Sequence, residues 1–324
     1  MLVKLAAKHA LCALMACTLA AACALPMSAP EASKPRLNLP FPTAGGAQIW
    51  SDARWREGWR IQEHVGTGHC RLLDPKNVRR AWGSYEACLA ELDARVPIAP
   101  GASDNRPLVI LLHGMGRTRV SFGRMKQDLE AAGWRTARFS YPSTRRSMDE
   151  HAAWLESLIN SLHQDRQASE IYFVTHSLGG IVVRSALARN GEWRQALQVR
   201  GMVMLGPPNQ GSSFANRLSG LRVFRWLYGD TGVGLVPEEV RLIPPPDCPF
   251  LIIAGARGDG RGWNPFLAGE DDGVVTLEET RLDGAVDHLV VRSLHAFLPS
   301  HRDAIAATLG FLLLQSASGD STKS

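Results

Sequence analysis

Near the middle of this 324-residue chain stands the stretch Glu170-Ile-Tyr-Phe-Val-Thr-His-Ser177-Leu-Gly-Gly180-Ile-Val-Val-Arg184. An apolar run of β type ends at a serine beside small residues, and an apolar run of helical type follows. The pattern predicts a strand, a sharp turn and a helix, with Ser177 at the apex. On such a turn a base can reach the hydroxyl from one side and backbone N–H donors from the other. The alternative is a serine that caps a helix after an ordinary strand.

The stretch resembles the nucleophile elbow of the α/β-hydrolase superfamily, which is written Gly-x-Ser-x-Gly. Gly179 matches the second glycine, and Thr175 stands where the first is expected. Gly179 and Gly180 leave room for a crowded turn, and the following helix points the positive end of its dipole at it. The resemblance implies a serine hydrolase similar to bacterial lipases and esterases, in which Ser177 is the nucleophile.

A second segment, Pro107-Leu-Val-Ile-Leu-Leu-His113-Gly-Met-Gly116, has the pattern of an apolar strand that ends in a glycine-rich loop. It is similar to the oxyanion loop of the superfamily. The resemblance implies that the backbone N–H groups of Met115 and Leu178 form the oxyanion hole for the substrate oxygen. We expect His113 to brace this loop and not to act as a base. Alternatively, His-Gly only ends a buried strand.

The candidate acid lies in Gly269-Glu-Asp-Asp272-Gly-Val-Val275, which follows the apolar run at residues 249–254. The Asp-Gly-Val-Val pattern resembles the acid loop of bacterial lipase-like hydrolases, and this implies Asp272 as the acid that orients the imidazole. Asp271 and Asp259 are competitors. The alternative is an Asp-Gly turn whose carboxylate binds only its own backbone.

Three histidines near the C-terminus compete for the role of base: His288, His295 and His301. His288 falls at the start of the predicted last strand, and His301 precedes the C-terminal helix. His295 lies between them in a His-x-Phe context, as does the catalytic histidine of similar family members. This implies the chain order Ser177, Asp272, His295, which is the α/β-hydrolase order. We interpret His176 as a packing or supporting residue, because a neighbour of the serine on the elbow points away from it.

Predicted strands near residues 107–112, 135–140, 170–175, 200–205, 249–254 and 287–292 alternate with helical patterns. This alternation indicates an α/β fold with a mostly parallel, doubly wound sheet, as the α/β-hydrolase resemblance also implies. The catalytic domain is expected at residues 106–315, with a small helical cap insertion at about 208–247. An amphipathic stripe in that insertion predicts either a lid over an acyl pocket or an ordinary packed helix. Residues 316–324 are expected to form a flexible tail.

The N-terminus predicts export. Lys4 and Lys8 precede a stretch free of charge up to Leu25, which is typical of a secretory signal and too short for a confident membrane span. Residues 1–24 are therefore a signal peptide or a lipoprotein leader, in which a lipidated Cys23 could anchor the protein to the envelope. The expected locations are the periplasm, the medium or the envelope surface. A linker rich in Pro, Ala and Ser is predicted up to residue 50.

An N-terminal extension is predicted at residues 51–105. Its alternating stretch at 55–74 breaks at Gly66-Thr-Gly68 and predicts a hairpin, as expected for the first strands of an α/β-hydrolase sheet. Apolar residues at helical spacing then predict a helix: Val78, Trp82, Tyr85, Leu89 and Leu92. In an oxidising compartment Cys70 and Cys88 could form a disulfide between the two elements, with Cys248 left as a buried free thiol.

Charge and motif content exclude several functions. The formal net charge is +5, arginine outnumbers lysine, and the cationic residues are scattered without a basic run, so nucleic-acid binding has little support. No metal-ligand spacing, phosphate loop or dinucleotide fingerprint occurs, and we expect neither a metal nor a cofactor.

The expected function is therefore that of an exported serine hydrolase acting on a lipid or other small-molecule acyl ester. The same three residues could serve a thioesterase or an acyltransferase. A catalytically silent α/β-hydrolase fold that binds an envelope partner is the third possibility, and Thr175 keeps it open.

Overall fold

Two β-sheets organise the structure, a computed structural model that describes residues 48–98, 106–189, 191, 193–212 and 237–320. All of these residues belong to one compact unit, Leu39–Ser324. Their strands are β1 (Trp50–Arg56), β2 (Trp59–His64), β3 (Cys70–Leu73), β4 (Arg79–Gly83), β5 (Leu108–Leu112), β6 (Arg135–Phe139), β7 (Glu170–His176), β8 (Gln198–Leu205), β9 (Phe250–Ala256) and β10 (Asp287–Arg292).

Helices connect most of these strands. The α-helices of the described residues are α1 (Tyr85–Arg95), α2 (Gly123–Ala131), α3 (Met148–Gln164), α4 (Leu178–Ala188), α5 (Trp193–Ala196), α6 (Pro237–Val240), α7 (Leu277–Thr280) and α8 (Arg302–Asp320). Two 3-10 helices, at Arg119–Phe122 and His295–Ser300, precede α2 and α8. Within the described part of the chain, no helix combines the length and apolarity needed to cross a membrane.

The main sheet has six strands in the order β10-β9-β8-β7-β5-β6, and every neighbouring pair is parallel. All six predicted strands of the catalytic region are present, so the doubly wound parallel sheet is confirmed. The strand order reverses between β5 and β7. In an open α/β sheet the crevice at such a switch point, outside the carboxyl ends of the strands, is the usual ligand site.

The core divides between the two faces of this sheet. All five residues of β5 are buried, and their side chains alternate between the faces. Leu108, Ile110 and Leu112 belong to the cluster that includes residues of α3 and α4. Val109 and Leu111 belong to the cluster that includes residues of α2 and α8. Burial on both faces explains why these strands have continuous apolar sequences.

The N-terminal strands differ from the prediction. The hairpin at Gly66–Gly68 is present between β2 and β3, but it belongs to a separate antiparallel sheet of order β1-β2-β3-β4. It does not supply the first strands of the main sheet. The reason lies at the outer edge of β1. The Asp52 N–H donates to the carbonyl of Ser140, the residue after β6 (2.9 Å). The Asp52 carbonyl accepts the indole N–H of Trp154 on α3 (2.6 Å). Both backbone groups of Asp52 are therefore used outside a continuous strand pairing with the main sheet.

The predicted helix of the extension begins later than expected. Trp82 lies in β4 and Val78 just before it, so only Tyr85, Leu89 and Leu92 of the proposed stripe are helical. Gly83 has φ 152°, and the side chain of Ser84 accepts a bond from Ala87 N as the N-cap of α1. The change from strand to helix therefore takes place at Gly83 and Ser84. The helical spacing of the predicted stripe extended across this boundary, so it placed the start of the helix too early.

Two expectations about the cysteines are also corrected. Cys70 and Cys88 are both buried in the small apolar cluster of the N-terminal sheet, but they are free thiols and no disulfide joins them. Burial raises the pKa of Cys70 to about 11 and that of Cys88 to about 12, so both thiols are neutral. Cys248 is a free thiol, as expected, but only partly buried.

The C-terminal helix continues to Asp320, so residues 316–320 of the predicted flexible tail are helical. Serine hydroxyls in this last part bond to carbonyls of the preceding turn, from Ser316 to Leu313 O (2.9 Å) and from Ser318 to Leu314 O (3.0 Å). The predicted leader, the linker up to residue 47 and the amphipathic stripe of the cap insertion lie outside the described residues.

Candidate active site

Ser177 stands at the turn between β7 and α4, with φ 52° and ψ −125°. Positive φ is rare for a non-glycine residue and costs about 1–3 kcal/mol, so the surrounding structure must hold the turn in place. The serine N–H donates to Leu205 O at the end of β8 (2.9 Å), and its carbonyl accepts from Gly180 N (2.9 Å). The predicted strand, sharp turn and helix are therefore present, with the serine in the strained position that a nucleophile elbow requires.

Close backbone approach explains the glycines around this serine. A Cβ atom at Gly179 would lie 2.5 Å from Leu112 O and 2.9 Å from His113 O, at the end of β5. A Cβ atom at Gly114 would lie 2.9 Å from the Cβ of Ser177. The elbow and the loop after β5 thus touch at positions that only glycine can occupy, and this contact places the proposed oxyanion loop beside the serine.

Thr175, the departure from the elbow motif, is accommodated. Its side chain is fully buried, and its hydroxyl donates to Val203 O on β8 (3.2 Å). Gly180 leaves the necessary space, because a Cβ atom there would lie 3.3 Å from the threonine Oγ1. The β-branched residue is therefore compatible with the strained turn, and its polar group has a partner.

Asp272 and His295 form the second part of the site. The Oδ2 atom of Asp272 accepts a bond from His295 Nδ1 (2.7 Å), and the backbone of His295 donates to Asp272 O (2.8 Å). The other carboxylate oxygen accepts from Val274 N (3.0 Å) and Val275 N (2.8 Å). The carboxylate is thus held on both sides, and it orients the imidazole with its Nε2 atom directed away from the acid.

The competing acids have other partners. Asp271 is fully buried and accepts backbone N–H bonds from Trp263, Asn264 and Gly273 through one oxygen, so it organises the loop. Asp259 forms an ion pair with Arg257 (2.9 Å) on the surface. Of the three aspartates considered from the sequence, the structure brings only Asp272 to a histidine.

The competing histidines also have local roles. His288 on β10 bonds through Nε2 to the Thr280 hydroxyl (2.8 Å), and burial lowers its pKa. His301 accepts from Asp303 N at the start of α8 (3.3 Å). His295 itself begins a 3-10 helix, where an irregular loop was expected.

Gly206, directly after β8, connects the serine to the histidine and acid. A Cβ atom at Gly206 would lie 3.1 Å from His295 Nδ1 and 3.2 Å from Asp272 Oδ2. The residue before it, Leu205, accepts the backbone bond of Ser177. All three candidate residues therefore gather at the carboxyl ends of the parallel strands, next to the switch point of the sheet.

His113 braces the loop after β5, as expected. Its ring stacks on Tyr141 with centroids 4.5 Å apart, its Nδ1 atom donates to Gly114 O (3.0 Å), and the Tyr141 hydroxyl donates to His113 O (2.7 Å). Burial lowers the pKa of His113 to about 4, so its ring is neutral. Tyr141 was missed in the sequence, since an aromatic residue after a strand carries no local sign of such a contact. The oxyanion roles of the Met115 and Leu178 N–H groups remain a prediction.

His176 supports the candidate base. Its ring is completely buried 4.6 Å from the His295 ring, and its Nε2 atom donates to His295 O (3.0 Å). Burial, followed by the proximity of His295, lowers its pKa well below the ordinary value. A neutral ring at this position holds the backbone of His295 without placing a positive charge beside it.

This arrangement provides a serine on a strained elbow, a histidine oriented by a carboxylate and a helix N-terminus, which are the groups used in acyl transfer. Among the described residues no group of three or more His, Cys, Asp or Glu side chains could hold a metal ion.

Comparisons with known proteins found one domain family and several similar solved structures. The family model of a domain of unknown function, DUF7379, matches residues 79–234. No curated protein matches the sequence. The mature lipase BlEst2 of Bacillus licheniformis is similar in structure, with 18% identity, a TM-score of 0.51, and coverage of 68% of this chain and 94% of that chain. A Listeria innocua gene product, lin2722, has 17% identity, a TM-score of 0.46, and coverage of 64% and 94%. With its parallel sheet and elbow, the protein has the α/β-hydrolase fold.

Proposed function

We propose that the protein is a serine hydrolase of carboxylic esters. The observation that carries the proposal is the bond between His295 Nδ1 and Asp272 Oδ2 (2.7 Å), beside a serine held at positive φ. Lipid or other acyl esters are the proposed substrates. Exposed apolar side chains close to the acid and the histidine support this choice, because they suit an acyl chain: Trp263, Val274, Leu294 and Phe297. The named activity of the structurally similar lipase BlEst2 points to the same class of substrate.

In the proposed mechanism, His295 removes the proton from the Ser177 hydroxyl as its oxygen attacks the ester carbonyl. Asp272 keeps the Nδ1–H tautomer and stabilises the imidazolium. The N–H groups of Leu178 and Met115, together with the N-terminus of α4, stabilise the oxyanion. The imidazolium then protonates the leaving alcohol, and water activated by the same histidine releases the acid from the acyl-enzyme.

We also propose that the protein is exported to the periplasm, to the medium, or to the envelope surface, where a lipid on Cys23 would anchor it. The charge-free apolar stretch after Lys8, with small residues around Cys23, supports this location. Mass spectrometry of the N-terminus, on protein recovered from the envelope and the medium, tests it. A chain that retains Met1 and stays in the cytoplasm contradicts export.

The activity is tested with an active-serine fluorophosphonate probe and with hydrolysis of a short-chain p-nitrophenyl ester. Wild-type protein should react with the probe at Ser177. Ser177→Ala should abolish labelling and reduce turnover by about a millionfold, as expected when a triad loses its nucleophile. Ser169→Ala, at an exposed serine just before β7, is the matched control and should behave as wild type.

Different failures have different meanings. Labelling of Ser177 without ester hydrolysis directs the search to thioesters or to acyl transfer, which use the same nucleophile. A folded protein that shows no labelling and no ester hydrolysis contradicts the proposal. That result favours a binding role for the fold.

A further inference from the structure

A cavity lies away from the candidate active site, between the N-terminal sheet and the edge of the main sheet. Its volume is about 490 Å³, within the range of small-molecule sites. It is lined by Trp55 and Pro75, and by residues of the 3-10 helix at Arg119–Phe122, of α2, of β6 and of the turn after α3. Ser177, Asp272 and His295 do not line it.

Cationic side chains dominate this cavity. Five basic residues line it, against two acidic residues, Glu57 and Glu130. The basic residues are Arg119, Lys126, Arg135, Arg138 and Arg166. Such an imbalance inside a cavity concentrates positive potential, because the surrounding protein screens charge less than water does.

The acidic residues do not neutralise the excess. Glu130 is already engaged, since it pairs with Lys126 through one oxygen and accepts the Thr136 hydroxyl with the other (2.7 Å). Glu57 is an exposed residue at the turn between β1 and β2. Arg135 donates to the carbonyl of Gln167 (2.8 Å).

Three arginines are left without a carboxylate. Within the described residues, no ion pair with a carboxylate includes Arg119, Arg138 or Arg166. The Nε atoms of Arg119 and Arg138 are buried and have no hydrogen-bond partner in the described structure. A buried guanidinium N–H without an acceptor is costly, so the protein around these two arginines does not satisfy them completely.

The buried surroundings add to this imbalance. Arg119 is 9% exposed, and its Nη2 atom donates to Asn77 Oδ1, an oxygen that also accepts from Arg60. Burial, with the nearby charge of Arg60, lowers the pKa of Arg119 to about 10. Asp52, a buried carboxylate whose charge acts on Arg119, already binds Arg60 (3.2 Å) and the N–H of Ser140 (2.7 Å). Arg119 therefore remains charged at neutral pH.

We propose that this cavity binds an anion that carries a phosphate group. Arg119, Arg138 and Arg166 line the cavity from three separate parts of the chain, and a tetrahedral phosphate has enough oxygens to accept from several guanidinium groups. A carboxylate offers only two oxygens. The source is either a soluble phosphate compound or a phospholipid headgroup. This proposal is independent of the proposed esterase activity.

Isothermal titration of the whole protein with inorganic pyrophosphate tests the site. Saturable binding to wild type is expected, weakening as sodium chloride is raised from about 50 to 200 mM because the contacts are ionic. Arg166→Gln, an exposed change at the rim, should raise the dissociation constant at least about tenfold. Arg138→Met should abolish binding and, by removing a half-buried charge, should not lower the melting temperature of the free protein at low salt. The matched control is Arg302→Gln, an exposed arginine at the start of α8 that is not part of the cavity.

Flotation with vesicles of phosphatidylcholine containing one quarter phosphatidic acid distinguishes the two sources. Arg138-dependent flotation identifies a headgroup, and pyrophosphate binding without flotation identifies a soluble ligand. Two results overturn the proposal. One is the absence of both saturable pyrophosphate binding at millimolar concentration and Arg138-dependent flotation. The other is equal affinity in wild type, Arg166→Gln and Arg138→Met, which places any binding elsewhere.

Discussion

At the scale of single residues, the candidate site depends on how each carboxylate oxygen is used. One oxygen of Asp272 accepts the backbone N–H groups of Val274 and Val275, and the other faces His295. The neighbouring Asp271 has the same side chain but accepts backbone bonds from its own loop. Two adjacent residues of the same type therefore have separate roles, one toward the imidazole and one toward the loop.

Asp272→Asn should reduce turnover by about 10⁴, the effect of the corresponding change in a well-studied triad. The two backbone N–H groups will hold the amide oxygen of the new residue, so its NH₂ group must face His295. A donor there favours the tautomer with the proton on Nε2, and that tautomer cannot accept the serine proton. Steady-state kinetics on an ester substrate measure the loss, and Asp271→Asn is the control, with a far smaller effect. Equal losses in both variants contradict the role of Asp272.

At the scale of elements, the elbow depends on the contact of α4 with the end of β5. Gly179 lies against two backbone carbonyls of β5 and its loop, whereas Gly180 lies against the Thr175 hydroxyl and the side chains of Pro207 and Met204. A backbone obstacle cannot move without displacing the strand, but side chains can shift by a few tenths of an ångström. The two neighbouring glycines are therefore unequal.

Gly179→Ala should lower activity by about a hundredfold or more, the effect of a displacement of roughly 1 Å at a reacting group. The new methyl group would lie 2.5 Å from Leu112 O and would push the elbow away from the loop. Gly180→Ala, with its nearest contact at 3.3 Å, should cost much less. Rates and melting temperatures of the two variants test this order, and a larger effect at Gly180 would show that the elbow packs differently.

Another element-scale contact joins the extension to the main domain. The buried carboxylate of Asp165, at the end of α3, accepts bonds from Arg54 and Arg56 of β1. Asp165→Asn leaves Arg54 without its counter-charge and Arg56 with only the more exposed Asp93 (2.7 Å), and it should lower the free energy of unfolding by about 3–5 kcal/mol. Asp128→Asn, at an exposed pair with Arg124 on α2, should cost at most about 1 kcal/mol. Urea denaturation measures both, and similar midpoints for the two variants would refute a special role for Asp165.

At the scale of the whole molecule, neutral histidines inside the main domain make its stability depend on pH. Burial lowers the pKa of His113 and of His151 to about 4, and it also lowers that of His176. These values lie below the ordinary 6.5, so between about pH 4 and 6.5 the unfolded chain binds more protons than the folded one. The free energy of unfolding is therefore fully retained above about pH 6.5 and falls as the pH decreases through this window.

Unfolding in urea at pH 7 and pH 5 should show this loss. His151→Phe keeps an aromatic ring beside Tyr141, where the two rings are now 5.0 Å apart, but removes one titrating group. It should reduce the difference between the two pH values, while His163→Phe, at an exposed histidine of α3, should leave it unchanged. A wild-type stability that stays constant from pH 7 to pH 5 contradicts the prediction.

The sequence by itself determined the six parallel strands, the elbow at Ser177 and the glycine-rich loop after β5. These features arise from local periodicity and turn chemistry, which neighbouring residues carry. Only the tertiary structure decided that Asp272 and not Asp271 faces His295, since the two residues share one loop and the partner lies 23 positions away. It also decided that the N-terminal strands form their own sheet, because the edge of β1 at Asp52 is taken up by the indole of Trp154 on α3 and by the carbonyl of Ser140. The cationic cavity likewise depends on residues from 55 to 167 that meet only when the chain is folded. Like-charged arginines in one cavity leave no local pattern, because their spacing along the chain is unrelated to their separation in space.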